Sequence, residues 1–291
     1  MTDERTAGRA AGPDHIKPSG AHDMSGSAGH GLPRGMTIGL LLAWAASLAF
    51  AMIWGNVDGH ASLPATWGRM GASLVLVATA VAGYRAWQGT SARRFLGLIA
   101  VGMALGTLGD FFNADLLNNI VPLPDPVLGG MISFGLGHIA YIAACFEAAR
   151  VAGLHNRRAR NIALAVWLVV ATLGWYAIVY LAPNEKTKPL VFPALPYSLL
   201  LASTAGFATG LACQERRFGL MALGAGLFFL SDMLLAIGLF RGNLPWATEL
   251  VWMSYSPGQM FIVFGALAVC PLLALHQADR ERGAAGPGKR T

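Results

Sequence analysis

The chain has 291 residues, of which 55% are hydrophobic and 12% are charged. A soluble domain carries about 25% charged residues, so this composition excludes an ordinary soluble enzyme. The net charge of +6 would suit a nucleic-acid partner, but the distribution of the basic residues along the chain points to a membrane topology instead.

The chain begins with a predicted disordered tail over residues 1–35, which are rich in Gly, Ser and charge and show no apolar periodicity. No short apolar run follows a basic start, so this tail is not a predicted signal peptide. A transmembrane domain is predicted over 36–276, followed by a disordered basic tail over 277–291.

Eight apolar spans are predicted in the transmembrane domain, each close to the about 20 residues that cross a bilayer as a helix. They cover 36–54, 68–87, 95–114, 127–149, 161–182, 190–212, 218–240 and 246–275. The predicted fold class is therefore an all-α polytopic membrane protein with eight transmembrane helices.

The Lys and Arg residues predict the orientation of these spans. All but four of the 21 lie in the two tails or around the loops after spans 2, 4 and 6; the exceptions are Arg69, Lys186, Lys188 and Arg241. By the positive-inside rule both termini are cytoplasmic, that is N-in and C-in. We expect an integral protein of a cell membrane, the inner membrane of a bacterium, with no nucleic-acid partner.

The two halves of the domain share sequence landmarks. Span 3 reads GMALGTLGDFF (102–112) and span 7 reads GAGLFFLSDML (224–234), each with a Gly eight residues before an Asp. Asp110 precedes His138 of span 4 by 28 residues, and Asp232 precedes Gln259 of span 8 by 27. These matches predict a parallel 4+4 internal repeat in which Asp110 and Asp232 are pseudo-symmetric mates.

Asp110 and Asp232 are the candidate catalytic residues. A charge near the bilayer centre costs roughly 2.5–3.5 kcal/mol, and such residues usually face a polar cavity and mark function. The helical rise of about 1.5 Å per residue places both between the midplane and the outer boundary. Two carboxylates in one low-dielectric cavity cannot both ionise easily, so we expect one to serve as a general acid and the other as a base.

Four more polar residues on spans 4 and 8 are the candidate substrate-binding residues: His138, Tyr141, Tyr255 and Gln259. Their helical spacing places His138 with Tyr141, and Tyr255 with Gln259, on one face of each span. Only one histidine lies deep in the membrane, whereas a catalytic zinc usually has three protein ligands, so no metal and no cofactor is expected. Any one of these residues, taken alone, could equally be a buried group satisfied by a structural hydrogen bond.

These motifs resemble the YhhN-like lysoplasmalogenase family over roughly residues 36–275. The resemblance rests on Gly109-Asp110, on F–x–x–G–H–x–x–Y over 134–141, on G–A–x–L–F–x–x–S–D–x–x–L–A–I over 224–237 and on Y–x–x–G–Q over 255–259. It implies eight spans and a role in lipid metabolism, as a hydrolase of the vinyl ether bond of lysoplasmalogens that releases a fatty aldehyde and a glycerophospho-alcohol. The implied partners are a lysophospholipid substrate and membrane lipid; a homodimer stays open.

Two other functions remain open. A parallel repeat with midplane carboxylates also suits a membrane transporter or proton-coupled carrier. TLGD (107–110) and PALP (193–196) resemble motifs of intramembrane aspartyl proteases. In those enzymes, however, the PAL element follows both aspartates, whereas here it precedes Asp232.

Overall fold

The computed structural model describes residues 31–117, 120–122, 125–182, 185, 187–242 and 244–284, with side chains up to 278. Residues 1–30 of the predicted N-terminal tail and 285–291 of the predicted C-terminal tail lie outside these residues. Residues 34–35 and 277–284, which were predicted to belong to the tails, are helical. Within them the chain forms helices joined by short loops, with no strand, and the predicted all-α class is confirmed.

The described residues form eight α-helices. They are α1 (Arg34–Asp58), α2 (Leu63–Ala86), α3 (Ala92–Asn113), α4 (Pro126–Ala152), α5 (Arg157–Gly174), α6 (Val191–Ala212), α7 (Gly219–Ala236) and α8 (Ala247–Ala284). π-helical turns extend α5 over Trp175–Tyr180 and α7 over Ile237–Arg241. In the described part of the chain, eight helical segments are long and apolar enough to cross a membrane, as predicted.

Local sequence signals explain where several helices begin and end. Asp125 caps α4, since its side chain accepts a hydrogen bond from the Val127 amide at 2.9 Å and Pro126 occupies the first helical position. Asn156 caps α5 in the same way through the Ala159 amide at 3.1 Å. Gly153 ends α4 with a φ of 68°, a left-handed conformation that glycine adopts without strain.

Helix packing places the core among α2–α4 and α6–α8. The largest buried cluster includes Phe95, Ile99, Met103, Met221 and Ile262. Helices α1 and α5 bury few residues and lie at the periphery, as expected for helices whose outer faces contact lipid. The Trp44 indole of α1 donates to the Ser256 hydroxyl of α8 at 2.9 Å, so one polar contact fixes α1 against the bundle.

Contacts between helices follow a similar order in the two halves of the chain. α1 packs on α2, α2 on α3 and α3 on α4; likewise α5 packs on α6, α6 on α7 and α7 on α8. A Cβ on Gly137 would lie 3.0 Å from the Gly102 carbonyl, and one on Gly258 would lie 2.9 Å from the Gly224 carbonyl. This equal register of α3 with α4 and of α7 with α8 supports the predicted internal repeat, which stays a prediction.

Candidate active site

Helices α2 to α8 surround a cavity of about 550 Å³ at the end of the bundle where α3 and α7 finish. Its polar lining comes mainly from α2, α3, α6 and α7 and includes Arg69, Asp110, Asn113, Asp115, Tyr197, Ser198 and Asp232. Its apolar lining comes mainly from α4 to α7 and includes Val127, Met131, Trp175, Ile178, Val179, Leu239 and Phe240. A cavity with both polar and apolar lining fits an amphiphilic ligand.

Asp110 is 5% exposed and lies on the cavity wall near the end of α3. Its Oδ2 accepts a hydrogen bond from the Ser73 hydroxyl of α2 at 2.6 Å and another from the Tyr255 hydroxyl of α8 at 2.9 Å. Both donors reach the same oxygen, so the bonds fix the carboxylate plane and leave Oδ1 for other contacts.

Asp232 lies on the cavity wall from α7 and is half-buried. Its Oδ2 accepts a short hydrogen bond from the Tyr197 hydroxyl of α6, and the neighbouring Ser231 hydroxyl lies 3.4 Å from Oδ1. The two candidate catalytic residues therefore line one cavity, each held by a tyrosine hydroxyl.

Glycines on α3 make this arrangement possible. Gly102, Gly106 and Gly109 recur at i, i+4 and i+7, so they form one face of the helix. A Cβ at these positions would lie 2.4 Å from the ring of Tyr141, 2.9 Å from Nε2 of Gln259 and 2.7 Å from the ring of Phe134. Large side chains of α4 and α8 thus sit directly on the α3 backbone, beside Asp110.

The predicted substrate-binding residues occupy different places. Tyr255 lines the cavity. Gln259 lies behind it, with Nε2 donating to the Tyr255 hydroxyl at 3.4 Å and Oε1 accepting from the Tyr141 hydroxyl at 2.9 Å. Gln259 and Tyr141 are buried outside the lining, in a chain of hydrogen bonds that leads to Asp110 through Tyr255.

His138 also lies away from the cavity lining. Its Nδ1 is 3.0 Å from the Thr204 hydroxyl of α6, and its ring packs edge-on against Tyr141, Tyr197 and Phe228. Its Nε2 is buried with no hydrogen-bond partner among the described residues. In this position His138 contacts the ring of Tyr197 rather than the cavity itself.

Three residues of the site were not among the predicted ones: Ser73, Tyr197 and Arg69. Arg69 and Ser73 are separated by one helical turn on α2, and a cation so close to a polar residue inside an apolar span was an available signal. Tyr197 follows Pro196 within α6 and had no comparable sequence signal. No group of three His, Cys, Asp or Glu residues within the described ranges is arranged to hold a metal ion.

The fold and the cavity define an integral membrane protein whose helices surround a site with two carboxylates. A family model described as the YhhN family matches residues 66–266, a range that includes Asp110, Asp232, Tyr197 and Tyr255. The chain belongs to the YhhN family, as its motifs predicted. No curated protein and no solved structure matches the chain.

Proposed function

We propose that the protein is an intramembrane hydrolase that cleaves the vinyl ether bond of lysoplasmalogen-type lysophospholipids. The observation that carries this proposal is the pair Asp110 and Asp232 on the wall of one amphiphilic cavity. Family membership supports the same function. The products are a fatty aldehyde and a glycerophospho-alcohol.

Vinyl ether hydrolysis needs an acid, a base and water. A proton added to the β-carbon of the vinyl ether forms an oxocarbenium ion, which water captures at the α-carbon as a hemiacetal. The hemiacetal then breaks at its carbon–oxygen bond to the glycerol, giving the aldehyde and a free glycerol hydroxyl. The net change is the addition of one water molecule, so a pair of carboxyl groups that exchange one proton is sufficient.

The hydrogen bonds suggest how the two aspartates divide these roles. Asp110 accepts two hydroxyl hydrogen bonds on its Oδ2, whereas Asp232 accepts one on its Oδ2, and such donors favour the ionised form of a carboxyl group. We therefore assign Asp110 to stabilising the oxocarbenium ion and accepting a proton from water. Asp232 is assigned as the acid that protonates the β-carbon. As the hemiacetal breaks, Asp110 gives its proton to the leaving glycerol oxygen and Asp232 takes the proton of the hemiacetal hydroxyl, which restores both groups.

The size and lining of the cavity fit a single-chain lipid. Its volume of about 550 Å³ lies in the common range for small-molecule sites. In the proposed complex the alkenyl chain contacts Trp175, Ile178 and Phe240 and the glycerol contacts the polar wall. The vinyl ether, at the junction of chain and glycerol, would then lie beside the two carboxylates.

Aldehyde release by the purified protein tests this proposal. The protein in nonionic detergent is incubated with a 1-alkenyl lysophosphoethanolamine, and aldehyde is measured by coupling to an alcohol dehydrogenase. We expect aldehyde from this lipid and none from the matched saturated 1-alkyl ether, which cannot form the oxocarbenium ion by protonation. A protein that releases no aldehyde in detergent but moves a solute across sealed vesicles would be a carrier, and the proposal would be wrong.

A further inference from the structure

Arg69 is a cation on the cavity wall. In the proposed reaction it has no contact with the reacting atoms of the substrate. It lies four residues before Ser73 on α2, so both side chains project from the same helical face. Ser73 donates to Asp110, and Arg69 lies about 6 Å farther along the helix axis, closer to the end of the bundle. The residue is 8% exposed and lines the cavity.

The contacts of Arg69 hold its guanidinium in place without neutralising it. Nη2 donates to the His60 carbonyl at 2.6 Å and to the Thr66 hydroxyl at 3.2 Å. The guanidinium lies 5.4 Å from the ring centroid of Trp252, whose ring in turn packs edge-on against Tyr255. Within the described residues, no carboxylate lies within ion-pair distance of Arg69.

A buried guanidinium with no carboxylate in direct contact is an unusual and costly arrangement. Arginine has five N–H donors in a planar fork, and the bonds to His60 and Thr66 come from Nη2 alone. An anion in the cavity can accept hydrogen bonds from the remaining donors. Phosphate oxygens match the fork in a bidentate geometry, which makes arginine well suited to them.

We propose that Arg69 binds the phosphate of the lysophospholipid substrate and so sets the depth at which the lipid enters the cavity. The proposal rests on the proposed function and adds the group that recognises the headgroup. In such a lipid the glycerol separates the vinyl ether from the phosphate, a span of the same order as the axial separation of about 6 Å between Arg69 and Ser73. With the phosphate on Arg69, the vinyl ether lies at the level of Asp110.

Binding of two non-cleavable lipids tests the proposal. A saturated 1-alkyl lysophosphoethanolamine and the 1-alkyl glycerol of the same chain differ only in the headgroup, and neither contains a vinyl ether. Their dissociation constants are measured by calorimetry with the full chain in nonionic detergent. We expect Arg69→Gln to weaken binding of the phospholipid by roughly 10–100-fold, the usual worth of hydrogen bonds to a charged group, and to change binding of the alkyl glycerol by less than about twofold.

Two further variants sharpen the comparison. Arg69→Lys keeps the charge without the fork, so we expect a smaller loss for the phospholipid, and this variant answers the question if Arg69→Gln does not fold. Arg241→Gln is the matched control, because Arg241 is an exposed arginine outside the cavity lining at the same end of the bundle. It should change neither dissociation constant.

Two results would overturn the proposal. They are an equal loss for both lipids in Arg69→Gln, and no loss for either lipid. The first would make Arg69 a structural residue that fixes the loop at His60. Neither lipid in this experiment can be cleaved, so the binding result does not depend on the proposed reaction. If Arg69→Gln weakens binding of the phospholipid alone and the protein releases no aldehyde from the alkenyl lipid, phosphate binding by Arg69 is supported and the proposed reaction is wrong.

Discussion

The two aspartates differ in how their side chains are held. The two donors of Asp110, Ser73 and Tyr255, come from two other helices. Asp232 has one donor from another helix, Tyr197, and one distant neighbour on its own helix, Ser231. Asp110 is therefore the more rigidly oriented of the two, which suits a group that stabilises a developing cation, since preorganised groups need no rearrangement during reaction.

Asp110→Asn and Asp232→Asn should each lower kcat for vinyl ether hydrolysis by roughly 10²–10⁴-fold, because each removes a positioned proton-transfer group. The double variant should be scarcely slower than either single one, since parts of one catalytic unit are not additive. Expression should persist, as Asn removes a charge that lipid disfavours. Additive losses would indicate two separate sites, and full activity in either single variant would make that carboxylate structural.

Tyr255→Phe removes one of the two hydroxyl donors to Asp110 and leaves the ring that packs on Trp252 and Phe134. We expect kcat to fall by roughly 10–100-fold, the worth of a hydrogen bond to a charged group, with little change in unfolding temperature. Tyr176→Phe is the control, because Tyr176 is exposed and lies outside the cavity lining. An equal effect of both changes would contradict the role of Tyr255.

At the scale of helices, close backbone approach aligns the site. Gly224 of α7 faces the backbone of α8, where a Cβ would lie 2.5 Å from the Gly258 carbonyl and 2.7 Å from the Ile262 amide nitrogen. Backbone atoms cannot move aside as the end of a flexible side chain can. The position of Asp232 on the cavity wall thus depends on the glycines that let α7 lie against α8.

Gly224→Ala should lower the apparent unfolding temperature in detergent, because the added methyl separates α7 from α8. Overpacking of this kind costs about 1–3 kcal/mol. Gly39→Ala in α1 is the matched control, since its added Cβ has no atom within 4 Å among the described residues, apart from the backbone of its own helix. It should be neutral or slightly stabilising, as Ala favours helix more than Gly does. Equal unfolding temperatures for the two variants would show that this contact does not limit stability.

At the scale of the whole molecule, orientation decides which leaflet supplies the lipid. The cavity lies at the end of the bundle where α1 meets α2 and α3 meets α4. The distribution of Lys and Arg predicts that this end faces away from the cytoplasm. On that topology the substrate enters from the outer leaflet.

Cysteine labelling checks this orientation. In a Cys213→Ala background, which removes the exposed native cysteine, Glu185→Cys should react with an impermeant thiol reagent in intact cells. His155→Cys, in the loop after α4, should react only after permeabilisation. Cys145 and Cys270 are buried and should contribute little background. The reverse pattern would refute the predicted topology and move the site to the cytoplasmic leaflet.

Sequence alone was sufficient for the fold class, and it singled out two aspartates whose catalytic role stays a prediction. Long apolar runs specify membrane helices because each helix satisfies its own backbone hydrogen bonds, so the signal is local. Asp110 and Asp232 stood out for a similar reason, since a charge inside such a run is costly wherever its neighbours lie. The cavity that they share agrees with the expectation that intramembrane carboxylates face a polar space.

Tertiary structure decided which other polar side chains accompany them. Tyr141 and Tyr197 are both tyrosines inside apolar helices, yet Tyr141 is buried behind the site and Tyr197 donates to Asp232. The helical period groups residues by face, but the rotation of each helix against its neighbours decides what that face meets. In this protein, close packing at glycines sets the rotation of each helix. This rotation therefore depends on contacts between residues that are distant in the chain.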